Sequence, residues 1–214
     1  MADDRLDIWK KLFQRAIVLI DSVSNAGVVL DEWSLGGGTV LMLRYRHRFS
    51  KDIDIFISDP QFLNYLSPRL NQVAEAMTGD YVEQGNFLKL QFEEGEIDFV
   101  ASAPLTAQPT RTERLIGRDV QVETSTEIIA KKLWHRGDSF KARDLFDLSM
   151  VIEREPAALI PMQPILRDRR AAVLARVAQF DEQLRHDFAE LDVMEYSRPY
   201  DECVALVKRA LEDA

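Results

Sequence analysis

The sequence predicts an α+β (mixed α/β) protein, with a small mixed sheet flanked by helices followed by a helical C-terminal region. Three observations support this prediction. Helical and strand-like apolar periodicities alternate up to about residue 123, and helical spacing dominates afterwards. No internal repeat or long linker interrupts the chain. Its 214 residues, 46% of them apolar, suffice for one domain or two small ones.

The first elements follow from the spacing of apolar side chains. Residues 4–24 carry them at helical spacing, which predicts an amphipathic helix. A short strand from Val28 is expected to end at the glycines Gly36–Gly38, where Val40–Tyr45 begins a helix. In Lys51–Ser58 every second residue from Ile53 to Ile57 is an isoleucine, and this alternation predicts a strand.

The next elements form a helix and a hairpin. Pro60–Met77 is expected to be helical. Phe87–Phe92 and Glu96–Ala101 are predicted strands, because the Glu93–Gly95 segment between them is typical of a hairpin turn. Val120–Val122 is expected to add one short strand.

Helices are expected from there to the end. Thr124 and Glu127 have the spacing of a capping box, which predicts a helix through about Arg136. A second helix is expected over Phe140–Glu153, and the remainder is helical apart from a break near Ser197–Pro199.

Composition restricts the function classes. Subtracting 36 acidic from 27 basic residues gives a net charge of −9, which argues against bulk adhesion to nucleic acid but allows one local contact. Cys203 is the single cysteine, so no intramolecular disulfide is possible. The apolar run Ala16–Ile20 is too short for a secretion signal or a membrane span, and the start Met1–Asp4 has no basic residue. We therefore expect a cytoplasmic protein with no membrane partner.

Asp52 and Asp54 are the first candidate site. Strand periodicity puts both carboxylates on one face, where their mutual repulsion would be relieved by a divalent cation such as Mg²⁺. A solvated outer face is the alternative. Asp98 lies between the apolar residues Ile97 and Phe99, and it would join the pair if its strand lies beside theirs. An ordinary solvent-facing aspartate is the alternative there.

Gly37, Gly38 and Thr39 form the second candidate site. They end a strand and open a helix, so backbone N–H groups and the helix dipole could bind a phosphate, and the Thr39 hydroxyl could join them. A tight turn with a threonine cap is the alternative interpretation.

These pieces, in this order, resemble the nucleotidyltransferase superfamily that includes DNA polymerase beta. The sequence is most similar to the AbiEii/AbiGii toxin family of nucleotidyltransferases, over about residues 30–150. The resemblance rests on Leu35–Leu41 and Arg46–Asp54, on the lysine-bearing helix segment Ile129–Leu133, and on the Arg-Asp-x-x-Asp segment Ala142–Leu148.

The resemblance implies a nucleotidyltransferase core over residues 1–123, with residues 124–214 packed on it and completing the active site. The implied reaction transfers a nucleoside monophosphate from an NTP, ATP or another, and releases pyrophosphate. Asp52 and Asp54 would bind Mg²⁺ or Mn²⁺, and Asp98 would act as a third ligand or help to deprotonate the acceptor.

Further site residues are also implied by the resemblance. Lys132, or its neighbour Lys131, would contact the triphosphate, Asp144 would be an active-site carboxylate, and Arg143 would bind nucleotide. Surface salt bridging, such as Arg143 with Asp147, is the alternative for these helices.

The densest basic stretch of the chain comes just before the Asp-x-Asp strand. It consists of Arg44, Arg46, His47, Arg48 and Lys51. These residues could contact phosphates or pair with nearby acids. Arg48 and Ser50 fall inside the family motif and are predicted to bind nucleotide.

Aromatic and basic residues outside these motifs are expected to be structural. Trp9, Trp33 and Trp134 are predicted to pack in cores or where the two parts meet. The Arg167–Arg185 segment has mixed charge, which favours a solvated helix face over an RNA platform.

Three hypotheses about function follow. The favoured one is a toxin-type enzyme that modifies a cellular acceptor, for which the resemblance implies tRNA, together with a cognate antitoxin protein. The second is the same chemistry on a small molecule, such as an aminoglycoside, or on a protein side chain. The third is a degenerate module that binds nucleotide without turnover.

Overall fold

The computed structural model describes residues 4–25 and 27–214. Residues 1–3, which belong to the start of the chain where the sequence has no basic residue, lie outside the described part. The helices are α1 Ile8–Asn25, α2 Gly37–Tyr45, α3 Phe62–Leu66, α4 Gln72–Met77, α5 Ser125–Arg136, α6 Ala142–Arg154, α7 Leu159–Gln179, α8 Asp181–Ala189 and α9 Tyr200–Glu212. The strands are β1 Trp33–Gly36, β2 Ile53–Ile57, β3 Tyr81–Gln84, β4 Phe87–Phe92, β5 Gly95–Ala101, β6 Thr110–Leu115 and β7 Arg118–Glu123. Short 3₁₀ turns occupy Asp4–Asp7, Gly137–Ser139 and Pro156–Ala158.

The chain divides into two compact units. The sheet unit contains, of the described residues, 4–25, 27–40, 50–104 and 110–122. The helical unit contains residues 41–49, 105–109 and 123–214. Helix α2 therefore begins in the first unit and continues into the second. The predicted division after residue 123 stays a prediction.

The described strands form one seven-stranded sheet in the order β3-β4-β5-β2-β1-β7-β6. It is mixed, because β1 and β2 pair antiparallel whereas β2 and β5 pair parallel. The predicted mixed sheet with a helical C-terminus is confirmed.

The core of the sheet unit follows from the period of two that the sequence shows. Ile53, Ile55 and Ile57 of β2 are all buried, and so are Ile97 and Phe99 of β5. The polar positions between them point to the opposite face, as alternation requires. That face is where Asp54 and Asp98 lie.

Two elements differ from the expectation. The segment Pro60–Met77 is two helices rather than one, because Pro68 forces the preceding Ser67 into an extended conformation that ends α3. Asn71 then opens α4, and its side chain accepts hydrogen bonds from the N–H groups of Val73 and Ala74. Strand β1 begins only at Trp33, later than predicted.

Two strands were not predicted. β3 is only four residues long and β6 is mostly polar, so neither shows a clear apolar alternation. Both lie at the edges of the sheet, where a strand needs few apolar residues.

In the helical unit, the helix predicted from Thr124 is confirmed, but only half of the capping box forms, because the Thr124 N–H donates to the Pro109 carbonyl. The Thr124 side chain accepts the N–H of Glu127 at 3.2 Å and caps α5. Helix α6 buries nine of its 13 residues, including Phe146. The Phe146 ring packs against those of Phe188 and Tyr196, with centroids 5.4 and 5.2 Å away. None of the described helices is long and apolar enough to span a bilayer.

Candidate active site

Asp54 and Asp98 lie side by side in the sheet unit. Strands β2 and β5 are parallel neighbours, and their register pairs Asp54 directly with Asp98. Both residues belong to the partly exposed face of their strands. The expectation that these two strands are adjacent is confirmed.

Asp98 carries the clearest electrostatic signal in this unit. Burial and the nearby charge of Asp54 raise the pKa of Asp98 to about 6, although Lys89 opposes the shift. Lys89 Nζ lies 3.4 Å from Asp98 Oδ2. The other oxygen, Oδ1, is buried and has no hydrogen-bond partner among the described residues. This buried oxygen beside the Asp54 carboxylate lacks a hydrogen-bond donor, because Lys89 contacts the other oxygen of Asp98.

Asp52 lies just before β2 and is held from two sides. Its Oδ1 accepts the backbone N–H of Glu96 at 3.1 Å. Its carbonyl oxygen accepts the Thr39 hydroxyl at 2.6 Å, and the same hydroxyl lies 3.2 Å from Ser50 Oγ. Thr39 is fully buried. The structure thus gives Thr39 a positioning role, and its predicted phosphate contact stays a prediction.

The glycine turn makes room for Asp54. Gly37 is the first residue of α2 and has a φ of +74°, a conformation that side chains disfavour. A Cβ atom on Gly37 would lie 1.8 Å from Asp54 Oδ2, so no other residue fits. The Asp54 carboxylate therefore lies at the N-terminal end of α2, where the helix dipole favours negative charge.

The carboxylates of the sheet unit fit a divalent cation in their chemistry. The unpartnered Asp98 Oδ1 and the neighbouring Asp54 charge are what such an ion would satisfy. Across residues 4–25 and 27–214, however, no three His, Cys, Asp or Glu side chains form a ready-made metal cluster. Part of the reason is that Asp52 and Asp98 have other partners, the Glu96 amide and Lys89. The metal set Asp52, Asp54 and Asp98 stays a prediction.

The raised pKa of Asp98 makes stability depend on pH. A carboxyl group whose pKa is raised by folding stabilises the folded state when the pH is below its unfolded pKa of 3.8. This contribution is lost as the pH rises through the folded pKa of about 6. Asp98→Asn should therefore be more stable than the wild type at pH 8 in EDTA, by about 1–2 kcal/mol after allowance for solvent screening. The advantage should vanish at pH 4.

Chemical denaturation at both pH values measures this difference. Glu93→Gln, in the exposed turn between β4 and β5, is the control for loss of one negative charge. An Asp98→Asn advantage of equal size at pH 4 and pH 8 would contradict the prediction.

A second cluster of predicted residues lies inside the helical unit. Lys132 of α5 donates to Asp144 Oδ1 at 2.6 Å and lies 3.0 Å from Asp147 Oδ2. Arg136 also donates to Asp144 Oδ1, at 3.3 Å. Asp144 in turn accepts the backbone N–H of Lys141 at the start of α6. The predicted pair Lys132 and Asp144 is in direct contact.

Asp147 is the centre of this cluster. It is fully buried and accepts two hydrogen bonds from Arg48, from Nε at 2.7 Å and from the terminal nitrogen NH2 at 2.8 Å. The His47 ring nitrogen Nε2 lies 2.7 Å from the same carboxylate. Arg48 is therefore paired with an acid, and its predicted contact to nucleotide stays a prediction.

The charges of this cluster follow from burial and pairing. Burial opposes ionisation of Asp147, but Arg48 and Lys132 outweigh it and hold the Asp147 pKa well below its usual range. Burial also opposes ionisation of Asp144, but Lys132 and Arg136 lower its pKa. Burial lowers the pKa of His47, which favours a neutral ring at pH 7.

Lys131 has different partners from Lys132. Its Nζ donates to Glu123 Oε1 at 2.5 Å and lies 3.7 Å from Glu127. Glu127 also accepts the N–H groups of Leu105 and Thr106 at 2.8 and 2.9 Å. The contact with Asp144 thus favours Lys132 over Lys131 as the family lysine.

The remaining candidates are placed as follows. Arg143 is half-buried, and its Nε is buried without a hydrogen-bond partner among the described residues. The proposed pairing of Arg143 with Asp147 gives way to the partners described above. In the basic stretch, Arg46 pairs with Glu195 on the surface. The pairing with acids expected as the alternative thus applies to Arg46 and Arg48.

The sequence did not reveal the part played by His47 or Arg136. His47 precedes its partner Asp147 by 100 residues, and no local pattern indicates such a contact. The signals for Asp147 were its place in the Arg-Asp-x-x-Asp segment and the alternative pairing with Arg143.

Solved structures share this fold. JHP933 from Helicobacter pylori superposes with a TM-score of 0.54 at 15% identity, covering 99% of this chain and 92% of that chain. MenT4, a nucleotidyltransferase toxin from Mycobacterium tuberculosis H37Rv, gives a TM-score of 0.54 at 18% identity, covering 98% of this chain and 85% of that chain. At these identities the likeness shows the fold alone. No curated protein matches the sequence.

The structural likeness shows the fold, and a family model shows the class of protein, which is a nucleotidyltransferase. The family model described as nucleotidyl transferase AbiEii toxin, type IV toxin–antitoxin system, matches residues 26–210. The chain belongs to this family. The resemblance predicted from the sequence and the enzyme class are both confirmed.

Proposed function

We propose that this protein transfers a nucleoside monophosphate from an NTP to an RNA acceptor, with tRNA as the expected RNA, in a reaction that depends on Mg²⁺ or Mn²⁺. It would act in the cytoplasm as the toxin of a toxin–antitoxin pair, with a cognate antitoxin protein. The observation that supports the chemistry best is the pairing of Asp54 with Asp98, whose Oδ1 is buried and unpartnered.

In this proposal Asp52, Asp54 and Asp98 hold the divalent cation. When bound, the ion would neutralise phosphate charge and favour an ionised acceptor oxygen. Asp54 is suited to this role because the absence of a side chain on Gly37 leaves room for the Asp54 carboxylate at the start of α2. Asp52 is suited because the Thr39 hydroxyl and the Glu96 amide fix its backbone and one of its oxygens, leaving the other for a ligand.

The reaction forms one bond and breaks another. An acceptor hydroxyl oxygen bonds to the α-phosphorus of the NTP, and the bond from that phosphorus to the bridging oxygen breaks, which releases pyrophosphate. The hydroxyl proton must go to a base. As the alternative to ligating the ion, Asp98 is proposed to accept that proton at Oδ1, which has no hydrogen-bond partner among the described residues.

The phosphates are proposed to bind at the start of α2. Gly37 and Gly38 open this helix, and a helix N-terminus attracts anions. Ser50, which lies 3.2 Å from Thr39, adds a hydroxyl. Thr39 supports this turn from inside.

The resemblance assigns the remaining roles. Lys132 is proposed to contact the triphosphate and Asp144 to act as an active-site carboxylate, with Arg48, Lys131 and Arg143 as further nucleotide-binding candidates. The contact of Lys132 with Asp144 supports treating the two as one functional pair. For Lys132 to bind a phosphate, one of its two carboxylate partners must give up its place.

Incubation with each labelled NTP, Mg²⁺ and total RNA tests this function. Label should appear in the tRNA fraction and should disappear when EDTA replaces Mg²⁺. Label in protein, or in a small molecule such as an aminoglycoside, would replace the RNA acceptor with the second hypothesis. Tight NTP binding without transfer to any acceptor would contradict the proposed activity.

A further inference from the structure

We propose that an exposed surface of the helical unit binds a single-stranded segment of an RNA. This surface, the aromatic platform, consists of Trp134, Arg136, Arg169, Arg176 and Phe180. The inference deepens the proposed function and rests on its choice of RNA as acceptor. It also revises the expectation that Trp134 is a core residue and that the α7 region is only a solvated face.

Trp134 and Arg169 form the first stack of the platform. Trp134 is 40% exposed although it is a large apolar side chain on α5. The guanidinium carbon of Arg169, from α7, lies 4.1 Å from the centre of its ring. This contact holds the indole in place and leaves part of it accessible.

Arg176 and Phe180 form a second stack of the same kind. The guanidinium carbon of Arg176 lies 3.7 Å from the Phe180 ring centre, and Phe180 is 39% exposed. Arg176 also donates to the Phe140 carbonyl at 3.3 Å, which fixes its direction. Arg169 and Arg176 are seven residues apart, so they lie on one face of α7 about 10 Å from each other. That distance matches about three stacked nucleotides of one strand.

Basic side chains lie near the first stack, where Lys131 pairs with Glu123 and Arg136 pairs with Asp144. Partial burial lowers the pKa of His135, and the nearby positive charges of Lys131, Arg136 and Arg169 lower it further. Asp168 offsets part of this charge, since its carboxylate lies 3.1 Å from Arg169. The acidic residues Asp181 and Glu182 follow Phe180, which sets the end of the platform.

The arginine–aromatic contact at Tyr200 lacks an accessible ring. Arg185 lies 4.5 Å from the ring centre of Tyr200, but Tyr200 is only 6% exposed. That contact therefore serves packing, whereas the rings of Trp134 and Phe180 keep an open face. Exposed aromatic rings beside arginines are what single-stranded RNA needs, because bases stack on the rings and phosphates pair with the guanidinium groups.

The platform is continuous with the predicted site residues of the helical unit. Arg136 follows Trp134 by two residues on α5 and donates to Asp144 at 3.3 Å. An RNA strand on the platform would therefore contact an arginine that pairs with Asp144, a buried carboxylate of the family motif. A flat protein partner would explain the exposed rings but not the spacing of their arginine partners, Arg169 and Arg176, along α7.

Binding of a short fluorescein-labelled single-stranded RNA, followed by fluorescence anisotropy at low salt, tests the platform. Trp134→Ala and Phe180→Ala should each weaken binding about tenfold, the typical effect of losing one stacked base. Arg169→Ala should weaken binding and reduce the salt dependence by about one phosphate contact. Trp134→Phe, which keeps a ring, should retain most of the affinity.

Two variants serve as matched controls. Ile160→Ala removes a 70% exposed apolar side chain from the same helix, and Arg185→Ala removes a surface arginine that stacks on a buried ring. Neither should change RNA binding. Thermal unfolding of all variants separates loss of binding from loss of fold.

The outcomes distinguish this inference from the proposed function. Equal RNA binding by the wild type, Trp134→Ala and Phe180→Ala would overturn the platform even if labelled NTP is transferred to RNA. Absence of binding to single-stranded RNA by the wild type would overturn it as well. Pyrophosphate release with Mg²⁺ and NTP reports on the transferase separately, because it does not depend on where the RNA lies.

Discussion

Replacing Asp54 by asparagine is expected to lower the rate of nucleotidyl transfer at least about 1,000-fold, while the fold stays intact. Asparagine has nearly the same shape but lacks the negative charge that would hold a divalent cation. Metal-ion catalysis contributes several kcal/mol, and each 1.36 kcal/mol corresponds to a factor of ten in rate. The measurement is single-turnover transfer of labelled NMP to the acceptor identified for the wild type.

The structure also explains why the fold should survive this change. Asp54 packs against Gly37, where there is room for a planar group of this size and for nothing on Gly37 itself. Removing its charge also relieves the repulsion that raises the pKa of Asp98. Asp54→Asn should therefore unfold no earlier than the wild type in EDTA.

Glu93→Gln is the matched control for the activity measurement, since it makes the same chemical change in an exposed turn of the same sheet. It should leave the transfer rate unchanged. An Asp54→Asn enzyme that retains more than about a tenth of the wild-type rate would remove Asp54 from the metal site.

The sheet half of the site was largely predictable from local sequence. The alternation in Lys51–Ser58 and in Glu96–Ala101 gives the face of each carboxylate, because strand periodicity is a property of a few neighbouring residues. The register that sets Asp54 opposite Asp98 is a contact between distant segments. The sequence could suggest this pairing only on the condition that the two strands are neighbours, and the structure shows that they are.

The helical half was harder to predict for the same physical reason. The Thr124 cap of α5 is local and was found from the sequence. The cluster around Asp147 joins residues about 100 positions apart, and its members look like ordinary surface charges in the sequence. Likewise, the exposure of Trp134 depends on what packs around α5 and α7, and the sequence led us to expect a core residue.

Replacing Asp147 by asparagine is expected to destabilise the protein by about 3–5 kcal/mol. Removal of one partner of a buried ion pair leaves the other charges without compensation in a poorly solvated interior. Here the change affects Arg48 and Lys132 together, because both contact the same fully buried carboxylate. Urea unfolding at pH 7 measures the loss.

Asp201→Asn is the control, because Asp201 pairs with Arg185 on the surface, where both side chains are about half exposed or more. Such an exposed pair contributes little to stability, because water and salt screen it. A loss for Asp147→Asn no larger than that of Asp201→Asn would contradict the central role of the buried carboxylate. Arg48→Gln combined with Asp147→Asn should cost less than the sum of the two single changes, since each removes the charge that the other leaves unpaired.

The pH dependence gives this second prediction an independent check. The pKa of Asp147 is held well below its usual range by Arg48 and Lys132, so its contribution is present above the unfolded value of 3.8. The contribution is lost only as the pH falls through the lower folded value. The difference between wild type and Asp147→Asn should therefore be constant from pH 5 to pH 8 and shrink under more acidic conditions.

The stability of Asp98→Asn relative to the wild type changes instead between pH 4 and about pH 6, because burial and Asp54 shift the pKa of Asp98 upward. The two aspartates thus differ in their partners. Asp147 has enough cationic partners to compensate for its burial, whereas Asp98 keeps one oxygen without a hydrogen-bond partner among the described residues.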